Sequence, residues 1–124
     1  MGNKSPHPTN ITLHSKSRVL EISFNDGNCF ELSCEYLRVF SPSAEVAGHG
    51  PGQEVLQVGK ENVNITKIEP VGQYAVGLYF DDGHQTGIYS CDLLFELGKY
   101  QEENFAHYLR RLEEAGYRRE APQK

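Results

Sequence analysis

Two histidines, a carboxylate and two serines are the residues of this 124-residue chain whose types and settings could do chemistry. His49 lies inside Gly48-His49-Gly50-Pro51-Gly52, His84 directly follows Asp82-Gly83, and Ser41 and Ser43 open the glycine- and proline-rich stretch that runs to Gly59. Imidazole nitrogen and carboxylate oxygen both suit a divalent metal, so His49, His84 and a carboxylate such as Asp82 form a chemically adequate donor set. On a loop, the same groups would serve equally as contacts for a partner. The candidate binding set is Ser41, Ser43, His49, Asp82 and His84, with His49 and His84 as the metal-ligating pair. Their spacing matches no metal signature, so no resident cofactor is expected; iron or zinc is what the pair would hold.

Catalytic signatures fail in turn. None of His7, His14, His49, His84 and His107 begins a His-x-Asp or His-x-Glu, which removes sequence support for the facial triad of non-haem iron oxygenases. There is no glycine loop ending in Lys-Ser or Lys-Thr, and no GxGxxG after a strand. Cys34 or Cys91 with His84 could be drawn as a nucleophile and base, but nothing in the flanking sequence activates either thiol. The reading is therefore a chain that is not an enzyme. Cys29, Cys34 and Cys91 form no CxxC and are expected to be reduced, with Cys34 and Cys91 as packing residues.

The elements that must position these groups are announced by a near-repeat. Phe24-Asn25-Asp26-Gly27 and Ser33-Cys34-Glu35-Tyr36-Leu37 return as Phe80-Asp81-Asp82-Gly83 and Ser90-Cys91-Asp92-Leu93-Leu94. The first block is displaced by 56 positions (Phe24 to Phe80) and the second by 57 (Ser33 to Ser90). Each copy reads as strand, Asp-Gly turn, strand and a short helical turn, because glycine accepts the positive φ that fits a tight turn to strand twist. Val63 to Pro70 alternates as a further strand, with Gly72 turning the chain into the second hairpin. Gly98 is expected to stop the helical piece that starts at Asp92. Phe105, Tyr108, Leu109 and Leu112 lay one apolar stripe along a C-terminal amphipathic helix that ends at Gly116.

The expected fold class is α+β: one small antiparallel sheet from two related β-hairpins, a long Gly/Pro-rich loop and the C-terminal helix. Residues 1–10 read as a disordered tail, 11–117 as one domain and 118–124 as a flexible tail, a length that suits a single modest core. A net charge of -5, with arginines interleaved among Glu113, Glu114 and Glu120, argues against nucleic acid as a partner. No apolar run approaches membrane length or forms a secretory signal, so a cytoplasmic protein with a protein partner is the expectation.

The stretch Leu37-Arg38-Val39-Phe40-Ser41-Pro42-Ser43-Ala44-Glu45-Val46, the His49 loop, Ile68-Glu69-Pro70-Val71-Gly72 and the run from Phe80 through His84 to Gly87-Ile88-Tyr89-Ser90 carry a resemblance. Together they resemble the gamma-butyrobetaine hydroxylase-like N-terminal domain, over about Arg18 to Gly98. That family's small, largely β domain occurs alone in bacteria, in front of 2-oxoglutarate oxygenases of carnitine synthesis, and attached to P-loop ATPases that handle iron-sulfur clusters. In the oxygenases it holds a structural zinc through three cysteines and a histidine. The resemblance sets these at Ser41, Ser43, Val46 and His84, where only the histidine remains, so that zinc site is expected to be lost. Cys91 stands where stand-alone relatives carry tryptophan. The resemblance thus implies an accessory or binding module without the oxygenase barrel, linked to iron or iron-sulfur metabolism by analogy.

Overall fold

The computed structural model describes residues 7–42, 56–82 and 87–117. Strands β1 (Pro8–His14), β2 (Val19–Phe24) and β3 (Cys29–Ser33) form one antiparallel sheet in the order β1-β2-β3, followed by helix α1 (Cys34–Val39). Strands β4 (Ile65–Val71), β5 (Ala75–Phe80) and β6 (Gly87–Ser90) form a second, in the order β4-β5-β6, followed by α2 (Cys91–Lys99) and α3 (Gln101–Glu114). The α+β class, the two hairpins and the C-terminal helix are as the sequence implies. Where one small sheet was expected, however, there are two three-stranded ones, because each hairpin recruits its own preceding strand. β1 opens at Pro8, ahead of the expected start at Ile11, since Pro8 pairs with Phe24 and His7 N–H donates to the Asn25 side chain at 3.0 Å.

The duplication runs deeper than the hairpins. Both first strands carry a register shift at the same place, between Pro8 and Asn10 opposite Phe24 and between Ile65 and Lys67 opposite Phe80. At each bulge a threonine hydroxyl donates to the neighbouring strand, Thr9 to the Ser23 carbonyl at 3.3 Å and Thr66 to the Tyr79 carbonyl at 3.2 Å. Asn25 and Asp81 accept from the backbone of His7 and Asn64 at 3.0 and 3.1 Å. Ser33 and Ser90 each cap the following helix by accepting a backbone N–H, from Tyr36 and Leu93, both at 3.0 Å. Side-chain oxygens at these positions satisfy amides that a helix start leaves open.

Inward residues of both sheets enter one core. Leu20, Ile22, Phe24 and Leu32 from the first meet Val76, Leu78, Phe80 and Tyr89 from the second, with Leu37 and Leu94 from the helices between them. Each half's helix also reaches the other half. Tyr36 on α1 donates to the Leu97 carbonyl of α2 at 2.6 Å, and Gly98 of α2 faces the Phe30 ring of β3. Gly98 therefore does not stop α2, which continues to Lys99: the glycine is there because a side chain would strike Phe30.

Helix α3 ends as expected. Gly116 has φ 78°, its N–H donates to the Glu113 carbonyl at 3.0 Å, and Tyr117 N–H donates to the Leu112 carbonyl at 2.9 Å. Tyr117 packs on the cluster of Val39, Tyr108 and Leu112, which supplies the hydrophobic contact typical of this C-terminal motif.

Candidate functional site: a charged clamp on the second hairpin

The polar centre of the described structure lies where the β5–β6 turn meets the end of α1. Arg38 Nε donates to Asp82 Oδ2 at 2.9 Å, and Lys60 Nζ donates to the same oxygen at 2.6 Å. The Arg38 side chain is only 7% exposed, and those of Lys60 and Asp82 are each 19% exposed. Arg38 arrives on α1, whose other side chains are buried as well. Lys60 follows Gly59, whose φ of 74° bends the chain, and a Lys60–Val63 turn fixes it. Helix α3 and the residues just after it hold this segment in place. Tyr108 donates to the Gln57 carbonyl at 2.8 Å, and the Tyr117 hydroxyl reaches both Glu61 oxygens at 3.0 and 3.2 Å.

The equivalent turn of the first hairpin does none of this. Asp26 bonds within its own turn, accepting the Asn28 backbone N–H at 3.0 Å and the Asn28 side-chain amide at 2.8 Å. Both hairpins close, but only the second sends its aspartate to distant cations.

Of the expected site residues, Asp82 stands at the centre of the clamp. Ser41 is 2% exposed, and its hydroxyl lies 3.3 Å from where a Cβ on Gly87 would sit. Beside it the Tyr89 hydroxyl donates to the Leu37 carbonyl, and burial pushes the Tyr89 phenol far above its ordinary range. Ser43, His49 and His84 lie outside the described residues. Sequence reasoning missed Arg38 and Lys60. The one signal for Arg38 was a charge set inside Tyr36-Leu37-Arg38-Val39-Phe40, where apolar neighbours on every side foretell a buried guanidinium.

The thiols divide by burial. Cys34 and Cys91 are buried, as their repeated position implied, whereas Cys29 is exposed. Burial pushes the Cys34 thiol up to about 11 and raises that of Cys91. Cys29 donates to Glu21 Oε2 at 3.6 Å, and His14 Nε2 lies 2.8 Å from Glu21 Oε1. The histidine's hydrogen bond holds the Glu21 carboxyl below its usual range. This carboxylate stands between thiol and imidazole, so the geometry is not that of a nucleophile on its base. Among the described residues no three His, Cys, Asp or Glu side chains gather as a metal ion requires, and no described helix is long and apolar enough to cross a membrane.

Fold and site together define a small duplicated α+β domain in which the aspartate of the second hairpin, unlike that of the first, meets Arg38 of the first half and Lys60 of the connecting segment in a charged clamp. The chain belongs to the gamma-butyrobetaine hydroxylase-like N-terminal family, whose model matches residues 11–95. Two NMR solution structures are similar over nearly their whole length. One is 51% identical with a TM-score of 0.82, covering 100% of this chain and 94% of that one. The other is 42% identical with a TM-score of 0.81, covering 98% and 95%. A crystal structure of a protein of unknown function from Acidithiobacillus ferrooxidans is 38% identical over 74% of this chain and 92% of its own, with a TM-score of 0.62. No curated protein matches the chain.

Proposed function

We propose that this chain is a non-catalytic accessory module of the cytoplasm that binds a protein partner at the end of the molecule where Asp82, Arg38 and Lys60 meet. The single observation that supports this reading most is the contrast between the two halves. An equivalent hairpin closes with Asp26 bonded inside its own turn, so folding the hairpin does not require Asp82 to reach Arg38 and Lys60. Placing two cations and a carboxylate largely out of water adds little to stability, because desolvation offsets much of the Coulomb gain. A cost taken on at one turn aspartate and absent at its counterpart is what a binding surface looks like. Family kinship makes iron or iron-sulfur metabolism the setting to search first.

The test is affinity capture on the immobilised full chain, with Asp82→Asn and His84→Ala alongside the wild type and circular dichroism confirming that each is folded. The expected result is one protein retained by wild type and lost from the folded variants. Elemental analysis of tag-free protein runs beside it. Stoichiometric iron or zinc that disappears in His84→Ala would replace the partner reading with a metal site built on His84, His49 and a carboxylate.

A further inference from the structure

We propose that Arg38 is the core of a binding site for a small oxyanion group, a phosphate or a carboxylate, with Lys60 as its positioning residue. Three observations carry this. Arg38 and Lys60 bring two positive charges to the single Asp82 carboxylate that both bond. Both cations bond the same atom, Oδ2 of Asp82. And Nη1 of Arg38 is buried with no hydrogen-bond partner among the described residues.

The third observation gives the site its direction. In a planar guanidinium Nη1 lies on the side away from the Nε–H, so the carboxylate that occupies Nε cannot also serve Nη1. A second acceptor is needed, arriving end-on. Buried polar groups are nearly always hydrogen-bonded, and a guanidinium has only donors to offer, so the group that completes it is an acceptor. With two cations sharing one carboxylate oxygen, the acceptor that suits the site is an anion, and the planar fork fits the paired oxygens of phosphate and carboxylate alike. Lys60 acts through Asp82. By neutralising the carboxylate it leaves the charge of Arg38 uncommitted and spares the incoming anion a repulsive neighbour. Without Lys60, the Arg38–Asp82 pair is neutral and has no attraction to spare.

An oxyanion site here needs no protein partner, so the two readings fail separately. The test follows the amide and Arg38 Nε–H resonances of the ¹⁵N-labelled full chain during titration with sodium phosphate and, separately, sodium acetate. Sodium chloride at matched ionic strength is the control. The expected result is saturable shifts at Arg38 Nε–H, at residues 38–41 and at Asp81 and Asp82 with one or both oxyanions and not with chloride. Lys60→Gln, at a partly exposed position that leaves the rest of the spectrum in place, is expected to weaken binding about tenfold, or about 1.4 kcal/mol. Arg38→Lys keeps the charge but loses the fork, and is expected to weaken it at least as much. Saturation by phosphate alone or acetate alone names the source within the class. Shifts that stay linear, that chloride reproduces, or that keep their affinity in Lys60→Gln would overturn the site.

Discussion

Replacing Gly98 by alanine sets two effects of opposite sign against each other. In a helix interior alanine is favoured over glycine by about 1 kcal/mol, so propensity alone makes Gly98→Ala stabilising. Packing opposes it. A Cβ at this position would lie 2.3 Å from Cδ2, 2.4 Å from Cγ and 2.8 Å from Cε2 of Phe30. Carbon atoms in contact prefer about 3.5–4.0 Å, so the ring must retreat by roughly 1 Å or more, or α2 must lift from β3. The ring is hemmed in. Its centroid is 5.8 Å from those of both Phe24 and Phe95, which are themselves 5.1 Å apart, all in edge-to-face packing. Overpacking costs about 1–3 kcal/mol, and a clash with three ring atoms belongs in the upper part of that range. The expected net effect is a loss of about 1–2 kcal/mol.

Urea denaturation followed by circular dichroism reads this directly. With a slope of about 1–3 kcal/mol per molar urea, the midpoint should fall by roughly 0.5–1 M with the slope unchanged. Adding Phe30→Leu to Gly98→Ala should cost less than the sum of the two single changes, because a smaller side chain leaves room for the methyl group. A midpoint that stays put or rises in Gly98→Ala would refute the reasoning: α2 would then not be seated on Phe30, and the glycine would be local punctuation only.

The two serine caps offer a paired prediction: Ser33→Ala and Ser90→Ala should each lower stability by about 1 kcal/mol in the same denaturation assay, while the glycine variants lose only a few tenths. The thiols should separate in a labelling time course on folded protein, Cys29 reacting first and Cys34 last, in keeping with their exposure. Stability should also fall as pH rises from about 9 to about 11: burial lifts the Cys34 thiol from 9.0 to about 11, so the unfolded chain gives up that proton first and gains on the folded state across the window. Tyr36, Tyr89 and Cys91, all raised by burial, add to the fall in the same direction, and a denaturation midpoint that stays flat across that window would contradict it.

What could be read from the sequence was what chemistry imposes locally. Asp26-Gly27 and Asp82-Gly83 announced two hairpins, and Gly116 sat where a helix turns off. β1 and β4 escaped notice as counterparts because PTNITLH and ITKIEPV share only a threonine and an isoleucine, Thr9 and Ile11 against Thr66 and Ile68; the bulge and the threonine bond across it appear only once the strands are paired. Gly98 was misread for a related reason: its neighbour Phe30 is far away along the chain, so a packing requirement looked like a helix stop. Asp82 was legible because it belongs to the repeated turn. Arg38 and Lys60, 44 and 22 residues from it, acquire meaning only in three dimensions. The duplication supplies the missing criterion. Where both halves make the same contact, as in the caps, the bulges and the paired asparagine and aspartate at Asn25 and Asp81, the fold accounts for it. Where one half departs, the fold does not. The bonds of Asp82 to Arg38 and Lys60, which have no counterpart at Asp26, are of that second kind, which is why the proposed partner site is set at the clamp rather than at the residues that hold the sheets together.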